Sequence, residues 1–449
     1  MRLAVLDPKL SACPTRTAAP ARRHASRRTR VTTRASSDQP NRDRSEKTLS
    51  DVVSSGRRGV LTAATTSLLL PVIIPTLPAR ADDLFCGYYV ENRSVTPQWA
   101  FKTPWSEGAV DVSSATKLKD AKTFLRILGK RETAEEAGHL PVLCLHGGPG
   151  LGFKYMENLE ILASEQREVA SYDQIGCARS SLQSLPKTEN TFTPKLFSDE
   201  LHQLRQTAEL DKVHIVAHGW GAMLALEHVL DAQGRGNGVA SLTLVSCPPS
   251  YKQLITDRVT ALSALPKEFA EVLLEGDKDG AMGSNLSEAG QQLYTKGWQE
   301  WLIQFESAKA AGSCFSGLSI GGAGAGIGAR RGEAPTNKGA ASADRVFRDM
   351  TGGMYFNVGG ALTDWEADSG GRLAQISSKV PGTRLVFGAN DALSDQSVRE
   401  LVNGMTRSDM KPRTAIVEVP DSGSAVFLDK SAEFLEDTNK FIKTYDDVL

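Results

Sequence analysis

Two short stretches of this 449-residue chain bring backbone N–H groups to where a carbonyl or carboxylate oxygen could sit. The run His146-Gly147-Gly148-Pro149-Gly150 follows an apolar segment, and its glycines allow a tight turn whose N–H groups converge beyond a strand end. Trp220 opens a helical segment, so its N–H has no carbonyl four residues earlier to bind, and the helix dipole adds positive potential. Gly148 and Trp220 are thus the expected backbone donors of an oxyanion-type site, although tight turning alone would also account for the glycines. A carboxylate, Asp391, closes the run Gly388-Ala389-Asn390-Asp391 after another strand. No histidine follows it: all seven lie at or before His228.

The elements that must position these residues are legible in outline. Strands are expected over 140–145, 168–172, 213–217, 241–246, 384–387 and 414–419, alternating with helical stretches such as 222–230. That alternation is the mark of the α/β class, a mainly parallel sheet with helices on both faces. Each expected strand runs into a loop at its carboxyl end, where open α/β sheets place their sites, so all candidate residues belong on one rim. From about 250 to 368 the pattern stops and polar helical stretches such as 291–305 take over, as in an inserted helical cap. Within it, 312–343 is rich in Gly, Ala and Ser and is expected to be a disordered insert, since it holds too little apolar surface to offset its ordering entropy. The insert contains Gly317-Leu318-Ser319-Ile320-Gly321, a formal G-x-S-x-G match without the preceding strand and following helix that the motif requires.

Taken together, the motifs resemble the proline iminopeptidase (prolyl aminopeptidase) branch of the α/β-hydrolases. The resemblance is carried by His146 to Gly150, by Tyr172-Asp173-Gln174-Ile175-Gly176-Cys177-Ala178-Arg179-Ser180, by Trp220 with Met223-Leu224-Ala225-Leu226, and by Gly360-Ala361-Leu362-Thr363-Asp364-Trp365. It spans nearly all of residues 120–445 and implies an α/β-hydrolase fold with a catalytic serine, acid and histidine in that chain order. The branch reads G-H-S-W-G-G where this chain reads Ala217-His218-Gly219-Trp220-Gly221-Ala222, so Gly219 stands at the nucleophile position. A glycine cannot attack a carbonyl, but it adopts the strained turn at roughly 1 kcal/mol less cost than other residues. Asp391 matches the acid, and alignment through Leu428 to Phe434 puts Ser424 at the histidine position. Two of three triad roles are lost by this reading, and a triad acts as a unit. Asp391 then reads as a solvated loop aspartate, and the His218 side chain is expected in the packing beneath the elbow. The acid that binds the substrate's amino group in this branch precedes the Gly-x-Leu-x-x-Trp stretch; Met354-Tyr355-Phe356-Asn357-Val358-Gly359 contains none, so prolyl specificity is not implied.

Charge and targeting narrow the setting. Residues 1–81 hold 15 Lys and Arg against 5 acids, leaving 37 against 48 in residues 82–449. So acidic a body argues against nucleic acid and against an anionic membrane surface as partners. The first 37 residues, with eight Arg and the single acid Asp7, have the make-up of a transit peptide. Arg57-Arg58, an apolar run from Leu68 to Leu77 and Ala79-Arg80-Ala81 follow, as in a twin-arginine signal with cleavage after Ala81. Pro71, Pro75 and Pro78 interrupt that run, so it does not read as a membrane anchor. Such a bipartite leader resembles those of thylakoid-lumen proteins and puts the hydrolase domain at 82–449. Cys144 and Cys247 read as core residues, while Cys86, Cys177 and Cys314 lie in expected loops with no assignable disulfide. No C-x-x-C pair occurs, and neither a metal site nor a cofactor is indicated.

Three functions remain open from the sequence. The leading one is a non-catalytic hydrolase-fold protein of the lumen, binding a small molecule, a peptide or a lumenal protein. The others are a hydrolase, aminopeptidase-like enzyme or lyase with atypical residues, its base Asp391 or His218, and an assembly partner of a photosynthetic complex.

Overall fold

Nine strands form one twisted sheet in the order β1-β9-β8-β7-β6-β4-β5-β3-β2. In the computed structural model, residues 2–4, 103–307, 338–406 and 414–448 are described. The strands are β1 (Arg2–Ala4), β2 (Trp105–Asp111), β3 (Lys122–Leu128), β4 (Val142–Leu145), β5 (Val169–Tyr172), β6 (Val213–His218), β7 (Val239–Val245), β8 (Gly382–Gly388) and β9 (Thr414–Val419). From β5 through β4, β6, β7 and β8 to β9 all pairings are parallel, whereas β2, β3 and β1 add antiparallel edges. This is the α/β-hydrolase fold. All six expected strands are present; β2 and β3 were not anticipated, because β2 is exposed along most of its length and carries little apolar alternation. The central strands are buried on both faces, as their unbroken apolar runs require.

Helices cover both faces. On one side α1 (Pro194–Thr207) and α2 (Trp220–Val229) pack Leu201, Leu204, Met223 and Leu226 against the sheet. Thr193 caps α1 by accepting the Leu196 N–H at 3.3 Å, and Pro194 occupies the first turn, where its missing N–H costs nothing. The other side buries Met156, Leu159 and Phe427, and α7 (Ser431–Lys443) adds Phe434 and Ile442.

Between β7 and β8 the chain builds a helical layer over the carboxyl ends of the strands, from α3 (Tyr251–Ala261), α4 (Lys267–Asp277), α5 (Glu288–Trp301) and α6 (Lys338–Thr351). The stretch expected to be helical over 291–305 ends differently from a plain helix: α5 gives way to a π-helical turn, Leu302–Glu306. That turn is stitched to the loop after β9 by main-chain bonds, Ser424 N–H to Phe305 O at 2.8 Å and Ala425 N–H to Glu306 O at 2.9 Å. The disorder expected over 312–343 needs correcting at its end. Residues 338–343 open α6, where Ala-rich sequence with good helix propensity leads into the buried face of Val346 and Met350.

Residues 312–337, the motif 317–321, Cys86, Cys314 and the leader beyond Ala4 lie outside the described residues. Among the described residues no helix is long and apolar enough to cross a membrane. Cys144, Cys177 and Cys247 are buried free thiols; Cys177 lies in the loop after β5, as expected, and that loop is packed into the core.

Candidate active site

The carboxyl ends of β4, β6, β7, β8 and β9 open into a single cavity under the helical layer, with Gly148, Gly219, Trp220, Ser246, Asp391 and Ser424 on its walls. Gly148, His218, Gly219, Trp220, Asp391 and Ser424, the site residues expected from the sequence, are therefore brought to one place. The cavity leaves about 110 Å³ for the centres of water molecules, several times what a single water needs.

The elbow is formed as the motif requires. Gly219 links β6 to α2 with φ 53° and ψ −117°, a left-handed conformation that favours glycine. A Cβ placed on it would meet nothing within 4 Å, so the space where a nucleophile side chain would project is open. Gly221 is constrained for a different reason: a Cβ there would strike the Leu145 carbonyl and come within 2.6 Å of the His146 oxygen. Close passage of α2 over β4 thus depends on it.

The turn carrying Gly148 is pinned by the second motif. His146 Nε2 accepts the Gln174 N–H at 2.9 Å, the Gln174 amide donates to His146 O at 2.8 Å, and Trp220 Nε1 donates to the Gln174 side chain at 2.7 Å. Gln174 so fixes the spacing between the two backbone donors. Asp173 holds the rest of its own loop, accepting the Phe153 N–H at 2.9 Å and Arg179 Nε at 2.9 Å. This motif is framework, placed to preorganise the oxyanion-type turn.

Asp391 does not match the solvated aspartate expected. Its Oδ1 accepts the Leu393 N–H at 3.0 Å, and its Oδ2 is shut off from solvent and has no hydrogen-bond partner among the described residues. Burial pushes this carboxyl up to about 7, with the Glu306 carboxylate adding to the rise and the Leu393 and Ser246 contacts opposing it. The rim closes over the loop after β8, which sequence could not convey.

His218 packs edge-on against Phe427, with ring centroids 5.2 Å apart, and its Nδ1 pairs with the Tyr155 hydroxyl at 2.9 Å. The same hydroxyl accepts the Gly147 N–H at 2.6 Å. One edge of the ring reaches the cavity, and burial lowers its pKa to about 4, so it stands neutral at physiological pH.

Ser424, at the position the resemblance assigns to histidine, donates its hydroxyl to Glu306, a residue the sequence did not bring forward. Glu306 also accepts the Tyr355 hydroxyl at 2.5 Å. A carboxylate from the π-helical turn thus reaches the place of the imidazole. Ser246 was likewise missed; it follows β7 directly with φ 52°, a strained conformation for a non-glycine residue, and lines the cavity with Asp391. Neither carries a sequence signal, since a Glu after a helical stretch and a Ser after a strand are both commonplace.

A Ser–His–Asp series by distance does occur elsewhere. Ser241 Oγ lies 2.8 Å from His214 Nδ1, and His214 Nε2 lies 3.0 Å from Asp446. It sits at the amino ends of the strands, with Ser241 and His214 fully buried, and its Asp446 is bound by Arg167. It ties the carboxyl-terminal segment to the sheet. Among the described residues no group of three His, Cys, Asp or Glu side chains is placed to hold a metal ion.

Residues 141–281 match the family model described as the alpha/beta hydrolase fold. The proline iminopeptidase of Lactobacillus delbrueckii subsp. lactis is 34% identical over 160 residues, 35% of this chain and 52% of that protein. The proline iminopeptidase of Clostridium botulinum is 31% identical over 163 residues, 36% of this chain and 53% of the relative. The chain so spans about half the length of the curated relatives it matches. The crystal structure of proline iminopeptidase from Mycobacterium smegmatis superposes with a TM-score of 0.55 at 21% identity, covering 76% of this chain and 99% of that one, which speaks to the fold.

Proposed function

We propose that this chain, of the proline iminopeptidase branch of the α/β-hydrolases, uses the fold's pocket to bind a small amino-bearing ligand without cleaving it by a serine triad. The observation that carries this reading is the pairing at the site's centre. Gly219 keeps the elbow with open space above it, while Glu306 and Ser424 occupy the corner where a histidine would stand. The pocket itself supports binding: Leu151, Met223, Leu254, Trp298 and Phe347 wall it, and the Glu306 and Asp391 carboxyls face a volume that one ammonium group would neutralise. The relatives are proline iminopeptidases, which makes a prolyl compound the first ligand to test. Delivery to the thylakoid lumen, proposed from the two leader signals, adds a setting and no further chemistry.

A second reading has one observation in its favour. Asp391 titrates near neutrality, which suits a general base acting on a bound water, so a weak hydrolase of atypical residues is the alternative. Titrating the purified protein with L-prolyl-L-leucinamide in a calorimeter, alongside a prolyl-arylamide hydrolysis assay, separates the two. Binding without turnover, weakened about tenfold or more by Glu306→Gln, is the expected result. Turnover abolished by Asp391→Asn would establish the enzyme instead, and no binding at all would sink the ligand reading.

A further inference from the structure

We infer that the cap side of this cavity is a carboxylate subsite built from Arg258, Tyr251 and Trp298, so that the ligand is a free amino acid or short peptide with its carboxyl terminus intact. The inference rests on the proposed binding of an amino-bearing ligand and specifies its other end. Arg258 and Tyr251 sit two turns apart on α3, and both line the cavity. The guanidinium lies over the Tyr355 ring, 3.7 Å from its centroid, and its hydrogen bond to the Tyr355 carbonyl is long at 3.4 Å. Trp298 meets the same ring edge-on at 4.8 Å, so Arg258 and Trp298 share Tyr355 as a neighbour. The Arg258 charge also reaches Tyr251, where it opposes the upward shift that burial imposes on the phenol.

Two of these groups are buried and unsatisfied. Trp298 is 5% exposed and Tyr251 2% exposed, yet Trp298 Nε1 and the Tyr251 hydroxyl have no hydrogen-bond partner among the described residues. Buried polar atoms are rarely left so, and an indole N–H and a guanidinium can only donate. The missing partner is therefore an acceptor, and beside a guanidinium the matching acceptor is an anion.

The neighbouring charges decide which anion. Asp277 accepts the Tyr355 N–H at 2.7 Å, the Phe356 N–H at 2.8 Å and the Asn357 amide at 3.1 Å, and the Arg258 charge also reaches it, so its lone pairs are largely committed to the cap's own backbone. With Glu306 and Asp391 also lining the cavity, a doubly charged phosphate would be repelled by three acids. A singly charged planar carboxylate fits the guanidinium fork and leaves the ligand's ammonium for the Glu306 and Asp391 side. Internal peptide bonds and esters, lacking that charge, would not complete the site.

Binding of L-prolyl-L-leucine and of its C-terminal amide to the purified protein, measured by calorimetry, tests this. The acid is expected to bind at least about tenfold more tightly than the amide, as a charged hydrogen-bonded pair contributes. Arg258→Gln should erase that preference, bringing the acid and the amide to similar affinities. Trp298→Phe, which keeps the ring and removes the N–H, should reduce it severalfold and serves if the first variant folds poorly. Equal affinities for acid and amide in the parent protein, or a preference that survives both substitutions, overturn the inference while the binding reading stands. If neither peptide binds the parent, both fall together.

Discussion

Gly219→Ser tests whether the elbow keeps its strained geometry and whether a hydroxyl alone restores chemistry. At φ 53° and ψ −117° a side chain costs about 1–3 kcal/mol of backbone strain. Nothing within 4 Å of the added Cβ contributes a steric term. Replacing glycine also narrows the unfolded ensemble, which offsets about 0.4–1 kcal/mol. The net expectation is a loss of roughly 1–2 kcal/mol in stability by urea unfolding. Gly221→Ala is the comparison, because its Cβ would strike the Leu145 carbonyl and crowd His146 O, both backbone atoms that cannot swing aside. It should cost more than G219S, at the upper end of the roughly 1–3 kcal/mol typical of overpacking. In hydrolysis of a p-nitrophenyl ester, G219S should show no burst of acyl-enzyme, since the corner that would hold the base holds Glu306 and Ser424. A G219S protein as stable as its parent would refute the strain argument. A clear burst would refute the claim that the missing histidine matters.

Three further outcomes are expected. Burial raises Glu200 and Glu160 to about 8, and Glu157 and Asp391 to about 7, so between pH 4 and 8 the fold keeps protons that the unfolded chain has lost, and stability falls as pH rises. The lowered histidines, His218 among them at about 4, oppose this only below pH 6.5; urea midpoints should therefore drop from pH 6.5 to 8, and Glu200→Gln should flatten the slope. A flat or rising parent profile would contradict the buried acids. Asp446→Ala strips Arg167, which is fully buried, of a carboxylate that binds it through two 2.8 Å bonds, and should cost about 3–5 kcal/mol in urea unfolding; a loss under about 1 kcal/mol would show the pair to be dispensable. Tyr155→Phe removes the hydroxyl that joins the Gly147 N–H to His218, and should weaken prolyl-leucinamide binding by loosening the oxyanion-type turn; unchanged affinity would place that turn outside the ligand's reach.

Much of this protein follows from local sequence. A parallel strand buried on both faces must be an unbroken apolar run, so the central strands show themselves, and their carboxyl-terminal loops put Gly148, Gly219, Trp220, Asp391 and Ser424 on one rim. The order of residues alone establishes that position 219 offers no side chain and that no histidine follows His228. Strands β2 and β3, at one end of the sheet, escaped because a partly exposed antiparallel pair carries a weaker pattern. What the tertiary structure decided is the environment of those residues. Asp391 is a loop residue in sequence, and only tertiary packing shuts its Oδ2 off from solvent. Glu306 reaches Ser424 because a π-helical turn ends α5 and bonds to a loop more than a hundred residues away, a pairing no local period encodes. Arg258, Tyr251 and Trp298 meet one cavity from two helices by the same long-range packing, which is why the presence of a helical cap could be read in advance and the grouping of its side chains could not.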